Sequence, residues 1–428
     1  MSDPMSDPAW LAEGRPHLWR PYCQMKTANP PLPVVATRGA RLVLADGREL
    51  VDGLASWWTA CHGYNHPHIA AAVRTQLETL PHVMFGGLTH EPANRLAARL
   101  AKLLPGDLDH VFLAESGSVS VEIAMKMALQ FHINRGVKGR TRFLAFRGGY
   151  HGDTLATMTV CDPDEGMHSL FDGVMPRQVI GDLPRDEAST AALEALVAAH
   201  AHELAAIVVE PLVQGAGGML FHPPEVLRTL RRIADDHGLL LILDEIFTGF
   251  GRTGTLFAME QAGIVPDVVT LSKALTGGTM PLSAAVARRP VFEAFWSDDP
   301  GAALMHGPTY MAHALACAAA NASLDLFEDG GWTADLARVS AGLEAGLAPC
   351  RDMSGVVEVR VLGAIGVVEL DRVDDLEALR AAFLGHGVWV RPLGRVVYLT
   401  PAFTIRDEDL AVLTGAVRAV VAGRSRGG

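Results

Sequence analysis

Two kinds of hydrophobic segment alternate along the chain. Short continuous apolar runs at 110–114, 142–146, 206–209, 239–243, 268–271 and 282–286 suit strands buried on both faces and are too short for surface helices. Between them, residues 67–80, 92–104, 119–132, 191–202, 224–237 and 312–327 carry apolar positions at helical spacing. Strand–helix alternation of this kind predicts an α/β fold: a large domain with a mostly parallel sheet and helices on both of its faces.

The ends of the chain have a different grain. Residues 10–32 show neither helical nor strand period and predict an ordered arm; 34–35, 41–44 and 49–51 predict short β segments, the last two turning at Ala45-Asp46-Gly47. Past 329 the helices 332–347, 375–385 and 407–421 alternate with strands 355–361, 364–369, 388–391 and 396–399. We therefore divide the chain into an arm and small-domain segment (1–65), a large domain (66–328) and a C-terminal small α+β domain (329–428).

Chemistry enters where two of the buried runs end. Run 239–243 stops at Asp244, and run 268–271 leads into Ser272-Lys273 and then Gly277-Gly278. Open α/β sheets bind ligands at the carboxyl ends of their strands. An aspartate there also serves as a helix cap, and a lysine after a strand is usually surface. Taken together they fit pyridoxal phosphate (PLP): the lysine amine condenses with the cofactor's aldehyde, and the carboxylate keeps the ring nitrogen protonated.

Further candidates surround this pair. Ser116-Gly117-Ser118 opens helix 119–132 and suits either an anion site or a plain N-cap. Tyr150 follows strand 142–146 within a Gly-rich turn, where an aromatic ring stacks on a planar cofactor. His151 reads more readily as a hydrogen-bonded structural group than as a general base. Trp57 and Trp58 point to opposite faces if their segment is extended, which leaves one to line a pocket unless both fill cores. Arg391, after Val-Trp-Val, is a surface residue unless an anionic substrate needs a bidentate partner.

The balance of charge excludes some functions. With 428 residues and a net charge of −12, the chain is a poor match for sequence-independent nucleic-acid or anionic-membrane binding. Five widely spaced cysteines without a C-x-x-C pair predict free thiols, a reducing compartment and no metal site. The N-terminus lacks the basic and apolar regions of a secretion signal, so the expected location is cytoplasmic. The repeated Met-Ser-Asp-Pro at the start is left out of the fold argument.

The motifs D-E-I-F-T-G-F-G-R-T-G (244–254), S-K-A-L-T-G-G (272–278) and H-G-P-T-Y (306–310) resemble those of the class III, fold-type I PLP-dependent aminotransferases. S-W-W (56–58), H-G-Y-N-H-P (62–67) and Y-H-G-D-T (150–154) are similar, more narrowly, to the branch that makes 7,8-diaminononanoate in the biotin pathway. The resemblance implies seven strands in the large-domain sheet and a ping-pong transfer of the amino group of S-adenosylmethionine to 8-amino-7-oxononanoate. It implies Lys273, Asp244 and Tyr150 as catalytic residues and Gly117 and Ser118 at the cofactor phosphate. Pro308 and Thr309 are implied to reach the phosphate of a partner subunit in a homodimer. Tyr22, Trp57, Trp58, Gly307 and Arg391 are implied to line the substrate pocket, with Arg391 on the keto acid's carboxylate.

One departure from the wider class is informative. Glutamate-using members often carry an acid in a Q-G-E-x-G segment that masks the substrate arginine, whereas here the stretch is Gln214-Gly215-Ala216-Gly217. This weakens ornithine or 4-aminobutyrate as substrates. The competing expectations are another class III ω-aminotransferase, for example one with lysine as donor, and a non-catalytic PLP-binding protein.

Overall fold

A computed structural model describes residues 8–164, 168–171 and 173–424; the start of the Met-Ser-Asp-Pro repeat, residues 1–7, lies outside them. Its centre is a seven-stranded sheet, whose strands we number in chain order: β1 Leu108–Ala114, β2 Arg142–Phe146, β3 Val179–Gly181, β4 Leu204–Val209, β5 Leu240–Asp244, β6 Val268–Leu271 and β7 Ser283–Arg288. Across the sheet they run β1-β7-β6-β5-β4-β2-β3. All neighbours are parallel except β7, which is antiparallel to both β6 and β1. The mostly parallel sheet expected from the sequence is thus present, and the seventh strand is the short β3, whose three residues carry too little pattern to stand out.

Side-chain alternation gives the sheet two dry faces. Leu241 and Leu243 of β5 join one core with Leu227 and Leu230 of helix Pro224–His237. Leu240 and Ile242 join the other with Val121, Ala124 and Ala128 of helix α1, Gly117–Asn134. The same alternation turns Asp244 toward the α1 side. Burial of the strands on both faces is why the pattern reads as continuous apolar runs.

The N-terminal and C-terminal regions meet in a second sheet. Strands Val34–Arg38, Arg41–Leu44 and Glu49–Asp52 form an antiparallel series, and Val388–Trp389 pairs in parallel with Val51 and Asp52. A third sheet holds Val356–Leu362, Ile365–Leu370 and Val396–Leu399. The buried Arg252 bridges these regions to the large sheet: its Nη1 donates to the carbonyls of Pro401 (2.8 Å) and Ala364 (3.3 Å), and its guanidinium lies over Phe403. Carbonyl partners and a ring face are what make so buried a cation tolerable.

Three local expectations need correction. Residues 55–58 are not extended but form a left-handed turn, discussed below. The arm begins with a helical turn, Ala9–Gly14, continued by Arg15–His17, because tertiary packing of Leu11 orders a segment with no period of its own. The strand expected at 388–391 ends at Trp389, so Arg391 leaves the ladder. All five cysteines are free. Among the described residues no helix is long and apolar enough to cross a membrane.

Candidate active site

Asp244 closes β5 one strand from Lys273. In the parallel β5–β6 pair Asp244 lies opposite Thr270, and Lys273 follows three residues further along the same strand exit. The carboxylate is buried, accepting from Ile246 N–H (3.1 Å) and Thr270 Oγ1 (3.2 Å) while its other oxygen meets His151 Nδ1 at 2.8 Å. Burial works against the His151 charge, yet the bond to Asp244 and the charges of Asp244 and Glu210 carry its pKa upward overall. His151 therefore orients the carboxylate, in agreement with its structural reading.

Lys273 starts the short 3-10 turn Lys273–Thr276 with φ +46°. Such a left-handed residue other than glycine is strained and persists where its surroundings hold it. Ser272, just before it, donates from Oγ to the Leu282 carbonyl at 2.8 Å. The ammonium lies 4.6 Å from the centre of the Trp58 ring. Burial pulls its pKa below the ordinary lysine value, opposed by the charges of Asp244, Glu210 and Asp153. A larger neutral fraction makes the amine a better nucleophile and proton carrier.

These groups line one cavity of about 180 Å³ together with Trp58, Gly117, Ser118 and Tyr150. At its other end α1 begins. Among the described residues the N–H groups of Gly117 and Ser118 have no protein acceptor, while Ser116 caps Val119 N–H. Two free donors at the start of a long helix favour an anion. Glycine is needed at 152, where φ is +130° and a Cβ would meet Ser118 Oγ at 2.3 Å, and a Cβ at 117 would fit tightly, 3.1 Å from Ile246 Cδ1. A buried carboxylate, a softened amine and an anion cradle within one cavity fit the ring nitrogen, aldehyde and phosphate of PLP.

Beside the cavity stands an aromatic wall. Tyr22 meets Trp57 edge-on with ring centres 6.0 Å apart, and the Arg391 guanidinium lies 5.5 Å from the Trp57 ring. Tyr150 Oη donates to Asp153 Oδ1 at 3.0 Å, and Tyr22 Oη donates to the other oxygen of the same carboxylate. Tyr150 also lines a neighbouring cleft of about 960 Å³. Residues 55–58 carry φ values of +45°, +49°, +56° and +73°, a left-handed turn that costs roughly 1–2 kcal/mol per residue. It leaves Trp58 buried against Phe247 and Trp57 partly exposed beside Arg391. So neighbouring Trp residues do take different surroundings, through a turn rather than through strand alternation.

The structure brings Lys273, Asp244, Tyr150, Gly117, Ser118 and Trp58 to one cavity, with Tyr22, Trp57 and Arg391 beside it. Gly307, Pro308 and Thr309 do not line it; they occupy a loop in which Lys126 Nζ donates to the Met305 carbonyl. Glu210 was not singled out from the sequence, although it ends β4 as Asp244 ends β5, a charged residue closing a buried run. Its carboxylate accepts from the N–H groups of Tyr150 (2.9 Å) and Gly215 (2.9 Å). Burial, helped by Asp244, raises its pKa to about 7, against the pull of His151 and the two N–H groups.

A pH dependence follows. An acid whose folded pKa is raised keeps its full contribution below the unfolded value of about 4.5 and loses stability as pH rises toward its folded pKa. The Glu210→Gln variant has no such loss, so the stability gap between it and the wild type shifts in favour of the variant as pH rises from 4.5 to about 7, by about 1–3 kcal/mol. Chemical denaturation of the cofactor-free proteins at several pH values measures this; a gap constant with pH refutes it.

A mostly parallel sheet with an acid and a lysine on adjoining strand exits defines a class, the fold-type I PLP-dependent transferases. Comparison with known sequences narrows it. The chain belongs to the family described as aminotransferase class-III, whose profile matches residues 22–421. It is 48% identical over 410 residues, 94% of each chain, to the adenosylmethionine-8-amino-7-oxononanoate aminotransferase of Mycobacterium leprae. It is 43% identical to the Corynebacterium glutamicum protein of the same name, over 98% of this chain and 100% of that one. Among solved structures, the adenosylmethionine-8-amino-7-oxononanoate aminotransferase of Methanocaldococcus jannaschii superposes with a TM-score of 0.91 at 28% identity, covering 96% of this chain and 98% of the other.

Proposed function

We propose that the protein transfers the amino group of S-adenosylmethionine to 8-amino-7-oxononanoate, giving 7,8-diaminononanoate, with PLP as cofactor. The observation that carries this reading is the pairing of the Asp244–Lys273 cavity with an aromatic wall ending in Arg391. Two of the relatives compared above, covering nearly the whole chain, bear the name of that reaction. Among the described residues the Arg391 guanidinium has no ion-pair partner, as suits a residue that receives a carboxylate from outside. The absence of an acid at Ala216 fits the same picture, since nothing in that loop neutralises the arginine.

Bound PLP supplies a protonated ring that stabilises negative charge developing at the substrate carbon. The protein's own groups do the rest. Asp244, oriented by His151, would supply the carboxylate that keeps the ring nitrogen protonated. Lys273 Nζ would take a proton from the substrate carbon as a base in the donor half-reaction and give one to the substrate carbon as an acid in the acceptor half-reaction. The Gly117 and Ser118 N–H groups would hold the phosphate, and Tyr150, which lines the same cavity, would help hold the ring. Tyr22, Trp57 and Trp58 exclude water and offer faces to a sulfonium cation in the first half-reaction and an aliphatic chain in the second. The donor leaves as S-adenosyl-4-methylthio-2-oxobutanoate.

A homodimer completes the site in this reading, Pro308 and Thr309 reaching the partner's phosphate. Support comes from Met305 and Tyr310, exposed on either side of that loop, and from Met84 and Leu88, exposed in the segment whose His82 ring packs against Tyr310. We place the enzyme in the cytoplasm, where free thiols persist.

Titrating the PLP-loaded protein with two amino donors, while following the cofactor's absorbance, tests the assignment. Adenosylmethionine is expected to bleach the band and lysine to leave it. Bleaching by lysine and not by adenosylmethionine overturns the choice of donor.

A further inference from the structure

We propose that Asp52, Ser56 and Tyr64 lock the left-handed Trp57–Trp58 turn and thereby set substrate affinity, Tyr64 acting as a positioning residue that lines neither the cofactor cavity nor the aromatic wall. The inference rests on the proposed site, in which Arg391 receives the keto acid's carboxylate.

The buried Asp52 carboxylate accepts from Leu54 N–H (2.8 Å), Ser56 N–H (3.0 Å) and Tyr64 Oη (2.5 Å). Since the Tyr64 proton points to Asp52, Ser56 Oγ is the donor in its 2.5 Å bond to Tyr64 Oη. Asp52 thus binds the strand end to the strained turn, and Tyr64 closes the ring of bonds from outside. The far end is clamped too. Thr59 Oγ1 donates to the Ser56 carbonyl at 3.0 Å. A Cβ on Gly278, in the loop after Lys273, would fall 2.8 Å from Thr59 Oγ1 and 2.9 Å from Ala60 N.

Four successive left-handed residues hold only while such contacts over-determine them. What the lock positions is specific: Trp57 beside Arg391 and Tyr22, and Trp58 under the Lys273 ammonium. With the Tyr64 bonds gone, the turn relaxes toward right-handed geometry and Trp57 leaves Arg391.

Steady-state kinetics of the holoenzyme carrying Tyr64→Phe, Trp57→Ala and both changes, with adenosylmethionine and 8-amino-7-oxononanoate, test this. Tyr64→Phe is expected to raise KM for the keto acid about tenfold while kcat stays within about twofold. In the Trp57→Ala background the same change adds nothing to KM, because its effect passes through that ring. An unchanged KM, or the same rise in both backgrounds, overturns the proposal.

A second readout is independent of the substrate. Tyr64→Phe should weaken the near-ultraviolet circular dichroism of the tryptophans at an unchanged far-ultraviolet spectrum, and an unaltered near-ultraviolet spectrum also overturns the lock. A wild type that rejects both substrates while this spectral change occurs overturns the substrate assignment and leaves the lock supported. If Tyr64→Phe does not fold, Ser56→Ala removes one bond of the ring and is expected to raise KM about threefold, its failure to do so counting equally against the lock.

Discussion

Replacing Lys273 with alanine lowers turnover by about 10⁴-fold or more while the protein remains folded. The loss is large because, in the proposed mechanism, one amine both anchors the cofactor and carries the proton at the substrate carbon. The fold survives for a local reason. The Lys273 side chain faces the cavity over Trp58, and its strained φ of +46° is as unfavourable for alanine as for lysine, so no strain is added.

The stability of the cofactor-free proteins carries its own signature. A lysine whose folded pKa lies below its unfolded value of about 10.4 binds fewer protons when folded, so stability rises with pH through the interval between the two. Removing the amine removes that penalty. Cofactor-free Lys273→Ala should therefore unfold no lower than the wild type near neutral pH, its advantage shrinking as pH approaches 10. Retained turnover, or a variant that fails to fold, contradicts the role given to this residue.

Changing Asp244 to asparagine is expected to cost about 10³-fold in both half-reactions, the size of removing a preorganised charge from a dry site. The substitution keeps the shape that accepts from Ile246 N–H and Thr270 Oγ1. What disappears is the negative charge that raises the His151 pKa and that, in the proposed mechanism, keeps the ring nitrogen protonated. Equal loss with adenosylmethionine and with the keto acid is the distinguishing feature, because one ring serves both. Single-turnover rates measured separately for each half-reaction decide it: loss in only one of them, or a loss below about tenfold, argues that Asp244 is structural.

Why some of this was legible in the sequence and some was not has a physical explanation. Strands buried on both faces leave unbroken apolar runs, so β4, β5 and β6 stand out, and with β5 and β6 the polar residues at their exits, Asp244 and Lys273. Helix α1 announces itself through periodicity, and its first residues through their small side chains. Short elements stabilised by their neighbours do not announce themselves. The three residues of β3 carry no period, and the helical turn at Ala9–Gly14 depends on the burial of Leu11.

The turn at 55–58 was hidden for a different reason. Nothing in Ala-Ser-Trp-Trp favours positive φ, and the conformation is imposed by Asp52 and by Tyr64, which approach from outside the turn. Glu210 escaped attention because a glutamate before a proline reads as an ordinary strand exit; only the fold places it against Tyr150 N–H and in the field of Asp244.

The account depends on an amine and a carboxylate flanking one ring, and a crystal structure of the PLP-loaded protein tests it most directly. The expected result is Lys273 Nζ joined to the cofactor's aldehyde carbon, Asp244 within hydrogen-bond distance of the ring nitrogen, and the phosphate on the N–H groups of Gly117 and Ser118. A cofactor seated elsewhere, or seated here with its ring nitrogen away from Asp244, contradicts it.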